Sequence, residues 1–281
     1  MNDPGNRSDQ RKYEASHYWE ERLGEEPTLQ GVAYPTLPET FNSQIYRAMK
    51  HAVIKALRKR RIRVEQARVL DIGSGSGVWV DLWDRLGARS ICGVDLTAAA
   101  VLSLSKRYPT HEFHQADVAK GLKLTGRFDL ISAMSVLLHI KDDEGFRRAV
   151  VNLAALLESD GFLFVMDQIV LERWWGPPFD EFANSKARPI DEWTSVLRDS
   201  GLVVDNVDPV TIILSNPTDT KRRETFTALS LYWAYLERVL RGRERLGALA
   251  GRSLYAIDRL LLATLKQGPS VKLLVARPMR T

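Results

Sequence analysis

The sequence predicts an α/β chain built on a mainly parallel sheet with helices on both faces. Residues Val69 to Gly77 read VLDIGSGSG: a β-rich run, Arg68 to Ile72, drops into Gly73, Gly75 and Gly77 before a helical pattern opens at Val78. Further short apolar runs alternate with helical patterns through about Asn206, as in successive strand–helix–strand units. Three of those runs end at an acid or its neighbour: Asp95, Asp117 and Asp167.

The elements can be justified in order. A helix is expected over Tyr13 to Leu23, then a Pro- and Gly-punctuated loop from Gly24 to Glu39. A second helix, Phe41 to Arg61, places Ile45, Met49, Ala52, Ala56 and Leu57 at three- and four-residue spacing. Strands follow at Arg68 to Ile72, Ser90 to Val94, near Glu112 to His114, Phe128 to Met134 and Gly161 to Asp167. A helix covers Glu144 to Leu157, and another, with Pro189 near its start and Asp191 and Glu192 in its first turn, runs to about Asp199. A sixth strand begins at Leu202, and the last, Ser270 to Ala276, is expected to stop at Arg277-Pro278. Roughly fifty residues separate these two, too many for a plain loop. They carry an apolar stripe at Phe226, Leu229, Trp233, Leu236 and Leu240, and a second helical stripe over Ser253 to Lys266. The division is residues 1–64 as an amino-terminal helical segment or lid, 65–213 as the core, 214–268 as a helical insertion (cap or dimer surface) and 269–281 as the last core strand. Residues 1–12 are expected to be disordered.

The glycine loop can bring backbone close to a ligand, with the next helix's free N–H groups facing it. A dinucleotide fingerprint would need glycine where Val78 stands. Asp95 follows Gly73 by about 20 residues, the spacing at which a strand-end carboxylate accepts ribose hydroxyls. Glycine loop, Asp95, Ala116-Asp117-Val118 and the run FDLISAMSVLLHI (Phe128 to Ile140) come in an order and spacing that resemble the class I S-adenosylmethionine-dependent methyltransferases. The resemblance covers about residues 65–206. It implies a Rossmann-like seven-stranded sheet of order 3-2-1-4-5-7-6, with the last strand antiparallel. It also implies S-adenosylmethionine as cofactor, held by Asp71, Gly73, Ser74, Gly75, Gly77, Asp95, Leu96, Asp117, Val118 and Met134. FNSQIYR (Phe41 to Arg47), LLHIKDDEGF and GPS before the last strand loosely resemble bacterial saccharide or secondary-metabolite methyltransferases.

Missing features narrow the acceptor. Ala133-Met134-Ser135 stands where amine methyltransferases carry an N/D-P-P-Y/F element, and Gly176-Pro177-Pro178-Phe179 reads as a loop turn beyond the fifth strand. Cys92, the one cysteine, lies inside a strand, so neither a disulfide, a Cys-rich zinc site nor a cysteine nucleophile is expected. A small-molecule acceptor remains, most simply a hydroxyl, with His139 as general base; the same histidine could equally bond only locally. Asp142 and Asp143 open a helix and read as caps rather than metal ligands. Asp167, Trp174 and Trp175 are secondary candidates for the acceptor pocket, and Tyr18, Trp19, Tyr46 and Arg47 for closure over the cofactor, Arg47 facing its carboxylate.

A net charge of +5 concentrates in Arg58 to Arg63 and Arg238 to Arg245, read as solvated helix ends. DNA is not an expected partner, RNA is a secondary one, and a homodimer is possible through the insertion. The polar amino terminus and the absence of a long apolar run argue for a cytoplasmic chain without signal peptide or transmembrane segment. Competing readings are an RNA methyltransferase, a cyclase or non-catalytic binder on the same fold, and an NAD-dependent oxidoreductase.

Overall fold

The computed structural model describes residues 13–24, 27–176, 183–265 and 267–279. The helix-forming amino terminus gives α1 (Ala15–Leu23), α2 (Leu29–Val32) and α3 (Glu39–Arg60). The core then alternates β1 (Arg68–Ile72), α4 (Val78–Arg85), β2 (Ser90–Asp95), α5 (Ala98–Arg107), β3 (Glu112–Gln115) and β4 (Phe128–Met134). It continues with α6 (Asp143–Ala155), β5 (Leu157–Asp167), the two-residue strands β6 (Ile169–Val170) and β7 (Arg188–Pro189), α7 (Ile190–Asp199) and β8 (Leu202–Pro209). Helices α8 (Arg223–Leu240) and α9 (Glu244–Thr264) precede β9 (Lys272–Pro278). Seven strands form one sheet in the order β3-β2-β1-β4-β5-β9-β8; β6 and β7 pair separately. Leaving that small pair aside, the order is the expected 3-2-1-4-5-7-6, and β9 runs antiparallel to both its neighbours.

Both faces of this sheet are covered, so its strands are apolar on both sides. The period of two is visible in β1 and β9: Val69, Leu273 and Val275 join the core under α3 and α4, with Phe41, Trp79 and Trp83. Leu70, Leu274 and Ala276 join the core under α6 and α7, with Phe146 and Trp193 packed edge to face at 4.7 Å.

Some boundaries differ from the sequence reading. Strand β9 continues through Arg277 and Pro278, because at its far end it pairs with β8 (Leu202 opposite Pro278) beyond the last β5 pair, Leu163 with Ala276. A proline that needs no donor toward a second neighbour is tolerated there. Helix α9 starts nine residues earlier than its apolar stripe indicated, at Glu244. Its Gly247 and Gly251 are buried against Pro38, Phe41 and Gln44, so these glycines let α9 lie close to α3 instead of breaking the helix. Residues 1–12 and Pro177-Pro178-Phe179, both singled out in the sequence, lie outside the described residues.

Two buried carboxylates fasten the connection between β8 and β9. Asp258 of α9 accepts from the Ile212 and Ile213 amides at 2.9 and 2.7 Å. Asp219 accepts from the Leu171 and Glu172 amides at 2.6 and 2.8 Å and from Lys272 Nζ at 2.6 Å. The Asp219 and Lys272 side chains are each 1% exposed, so removal of one leaves a buried charge without its counterpart. Asp219→Ala is expected to cost about 3–5 kcal/mol, read as a lower urea midpoint; a loss under about 1 kcal/mol would place the pair among the weak, solvent-screened ones.

Candidate active site

The loop after β1 is folded by backbone bonds and one carboxylate. The Gly73 and Ser74 amides donate to Val94 O at 2.7 and 3.2 Å, and the Gly77 amide to Ser74 O at 2.7 Å. Gly73 has φ +68° and an added Cβ would collide with Val136; Gly77 has φ +79° and would meet Leu104 and Arg107. Both positions therefore demand glycine on two counts. At the end of β2, Asp95 Oδ2 accepts from the Gly75 amide at 2.8 Å. Its Oδ1 accepts from the Thr97 amide at 2.9 Å and Thr97 Oγ at 2.8 Å, and Thr97 in turn caps α5 by accepting from the Ala100 amide. Burial pushes the Asp95 carboxyl up, and these three donors oppose the push.

A cavity of about 480 Å³ opens above the carboxyl ends of β1, β2 and β4, the place where ligands sit on such sheets. Gly73, Ser74, Gly75, Asp95, Leu96, Asp117, Val118, Met134 and His139 all line it. Asp117 closes its own turn, Oδ1 accepting from the Ala119 amide at 2.9 Å, with Lys120 at 3.5 Å from Oδ2. Asp71 and Gly77 are not among the lining residues. Asp71 is fully buried beneath the loop, accepts from Ser132 Oγ at 2.6 Å, and is pushed up to about 7 by burial. Trp83 Nε1 donates to the same Ser132 at 3.0 Å, so Asp71 belongs to the foundation of the loop.

The roof comes from the amino terminus. Tyr13, Glu14, Trp19 and Leu23 of the α1 region line the cavity with Val32 and Tyr46. Glu20 holds α1 in place by accepting from the Ala98 amide of α5 at 2.8 Å. Arg22 donates to Gly31 O and Ala33 O, both at 2.9 Å, tying α1 to α2.

His139 closes a short 3-10 turn, Leu137–His139, that follows a left-handed Ser135 (φ +61°). Non-glycine residues seldom hold that conformation, and when they do it is often beside a functional site. The Ser135 amide is secured by Met166 O at 2.7 Å. His139 Nδ1 lies 2.5 Å from Asn184 O, and a carbonyl can only accept, so Nδ1 carries the proton and Nε2 its lone pair. Trp19 meets the imidazole edge to face at 4.8 Å. Burial, with Arg22 nearby, pushes the imidazole down to about 4 against the pull of the Asn184 bond. An ordinary histidine titrates near 6.5; with this shift His139 is neutral across the physiological range.

Of the other candidates, Asp142 also lines the cavity, and the rest fall elsewhere. Asp142 caps α6 by accepting from the Gly145 amide at 2.6 Å, and Asp143 pairs with Lys186 at 2.5 Å and Arg188 at 3.3 Å. Asp167 is buried outside the cavity lining, its carboxyl raised well above the usual range by burial. Trp174 meets Phe226 at 6.1 Å and Trp175 donates to Thr220 O at 2.8 Å, so both pack on the β8–β9 connection. Tyr18 accepts from Asn184 Nδ2 at 2.9 Å, behind the roof. Arg47 lies over Tyr255 at 4.5 Å, in a neighbouring cleft. None of the described residues within 214–268 lines the main cavity; α9 packs along α3 instead. Sequence reasoning missed Asn184, which carries no local signal because its partner lies 45 residues away.

Comparison with known proteins agrees with this geometry. A family model described as a methyltransferase domain matches residues 41–207. Nodulation protein S of Azorhizobium caulinodans is 32% identical over 133 residues, 44% of this chain and 62% of that protein. A ubiquinone biosynthesis O-methyltransferase of Albidiferax ferrireducens is 31% identical over 103 residues, 34% of this chain and 39% of that protein. The chain thus spans less than two thirds of either relative. In fold it is similar to an O-methyltransferase from a trans-AT PKS multienzyme of Brevibacillus brevis, solved with S-adenosyl-L-homocysteine. That likeness has a TM-score of 0.51 at 17% identity, over 88% of this chain and 81% of the other. With loop, acids and sheet order all in place and the family model matched over more than half its length, the chain belongs to the methyltransferase-domain family, the class I S-adenosylmethionine-dependent methyltransferases.

Proposed function

We propose that this chain transfers a methyl group from S-adenosylmethionine to a hydroxyl of a small molecule, a saccharide or secondary metabolite, with His139 as general base. S-adenosylmethionine is the cofactor of the family, and the cavity residues fit it. Asp95 sits at the strand end, where Oδ2 holds only the Gly75 amide and keeps a lone pair for a ribose hydroxyl, while Oδ1 already holds both Thr97 donors. Leu96, Val118 and Met134 offer apolar surface for a purine between Asp95 and Asp117. When bound, the cofactor supplies an electrophilic methyl on a sulfonium.

The protein's own work is alignment, exclusion of water and removal of a proton. The observation that carries the reading is the His139 tautomer. Nδ1–H donates to Asn184 O, so the Nε2 lone pair is left to a cavity roofed by Trp19 and Tyr13. A hydroxyl acceptor needs such a base, because its oxygen is a poor nucleophile until the proton leaves. The relative described as an O-methyltransferase supports the same class of acceptor.

S-adenosylhomocysteine is expected to bind with a Kd near micromolar, about −8 kcal/mol, and Asp95→Ala to abolish that binding in calorimetry; an equal affinity for NAD would point to an oxidoreductase. His139→Ala should lower turnover by about a hundred- to ten-thousand-fold with cofactor affinity nearly unchanged. A loss under about tenfold would favour an amine or carbon acceptor that needs no base there. Because the folded imidazole titrates near 4, Nε2 keeps its lone pair until the pH falls that far. The acid limb of kcat should therefore lie below pH 5; a limb near 6.5, the ordinary histidine value, would mean that the residue titrates exposed to water.

A further inference from the structure

A second cleft of about 500 Å³ lies beside the cofactor cavity, between α2, α3, α4 and α9. Its cations are Arg47 and Lys50, with the His51 imidazole beside them, and its aromatic walls are Tyr46 and Tyr255. Tyr46 and Val78 line both cavities, so they form the partition between them. On α3 the basic residues recur as Arg47, Lys50, His51, Lys55 and Arg58, spacings that stack them on successive turns of one face. Arg259 joins them from α9, since it acts on His51 along with Lys55, Arg58 and Arg47.

Aligned like charges are mutually unfavourable unless an anion sits among them. The carboxylate that meets this group is Asp81 of α4, 3.4 Å from Lys50, and it is shared with Arg85 at 2.9 Å. The guanidinium of Arg47 lies over the Tyr255 ring at 4.5 Å. Stacking of that kind fixes the plane of the fork; Nη1 also reaches Gln44 Oε1 at 3.4 Å, and the remaining edge donors suit a planar or tetrahedral oxyanion. Two fixed cations, a chargeable imidazole one turn on and a stacked aromatic make a donor set for phosphate oxygens.

We propose that this cleft binds a small molecule carrying a phosphate or diphosphate group, separately from the cofactor and across the Tyr46–Val78 partition from it. The site is distinct from the His139 chemistry and stands whether or not that histidine is the base. His51 supplies the reporter. Burial and the surrounding cations hold its imidazole below the ordinary value, and an anion in the cleft raises it.

The test uses the full chain with labelled histidines, titrated with inorganic pyrophosphate at constant ionic strength and followed through the His51 ring resonances by NMR. A saturable response is expected, with the His51 midpoint rising by about half a unit or more. In Arg47→Gln/Lys50→Gln the response should weaken at least about tenfold, as expected for loss of charge-assisted bonds, while S-adenosylhomocysteine still binds. A linear response, or one reproduced by sodium chloride at matched ionic strength, overturns the proposal: the cations are then a solvated helix face, screened by salt. An unchanged response in the double variant overturns it as well. Loss of S-adenosylhomocysteine binding in that variant, without loss of the pyrophosphate response, would assign Arg47 and Lys50 to the cofactor. A 20-nucleotide RNA that binds with a steep salt dependence, where pyrophosphate does not saturate, would replace the small ligand by nucleic acid.

Discussion

One buried carboxylate organises the functional end of this molecule. Asp95 receives the Gly75 amide on one oxygen and the Thr97 amide and hydroxyl on the other. It thereby closes the glycine loop against β2 and sets the start of α5, whose cap is Thr97. A carboxylate taken out of water is tolerated only if donors surround it. Here the donors are the loop and the helix that form the cavity, so stability and ligand geometry come from the same atoms. Asp71 supports this from below by holding Ser132, which ties β1 to β4 under the loop.

The His139 side of the cavity relies on burial to a different end. His139 is half-buried, meets Trp19 edge to face, and has its tautomer fixed by a backbone carbonyl 45 residues away. Desolvation penalises the charged imidazole more than the Asn184 bond favours it. A lowered conjugate acid is a weaker base in water, yet it is never lost to protonation at working pH. The roof is tied to the rest of the chain by Glu20 to the Ala98 amide, Arg22 to the α2 backbone and Tyr18 to Asn184.

The long connection between β8 and β9 extends the body of the protein more than its active site. Asp258 and the Asp219–Lys272 pair anchor it to buried backbone, and α9 lies along α3 through Gly247 and Gly251. Its contribution to ligand chemistry is Tyr255, one wall of the basic cleft. Leu231, Tyr235, Leu249 and Leu260 remain exposed on α8 and α9. Arg60, from the basic cluster that ends α3, is spent on Asp205 at 2.7 Å, while Arg58 adds to the field at His51. The two halves of that cluster therefore face different tasks.

Local pattern by itself determined the sheet and the cofactor end. Strand and helix periods are written in neighbouring residues, and Gly73, Gly75, Asp95 and Asp117 sit at spacings that a strand–loop–helix unit converts directly into position. Eight of the ten cofactor residues inferred from the motifs line the cavity together for that reason. Asp71 and Gly77 do not, because the alternation of the strand and the helix cap turn them away from it. Tertiary structure alone decided the rest. The tautomer and low basicity of His139 depend on Asn184 and Trp19, and the place of Arg47 depends on Tyr255 of α9. Such groups meet only when distant segments pack, and burial, which sets their charge, is a property of the packed chain and not of any stretch of sequence.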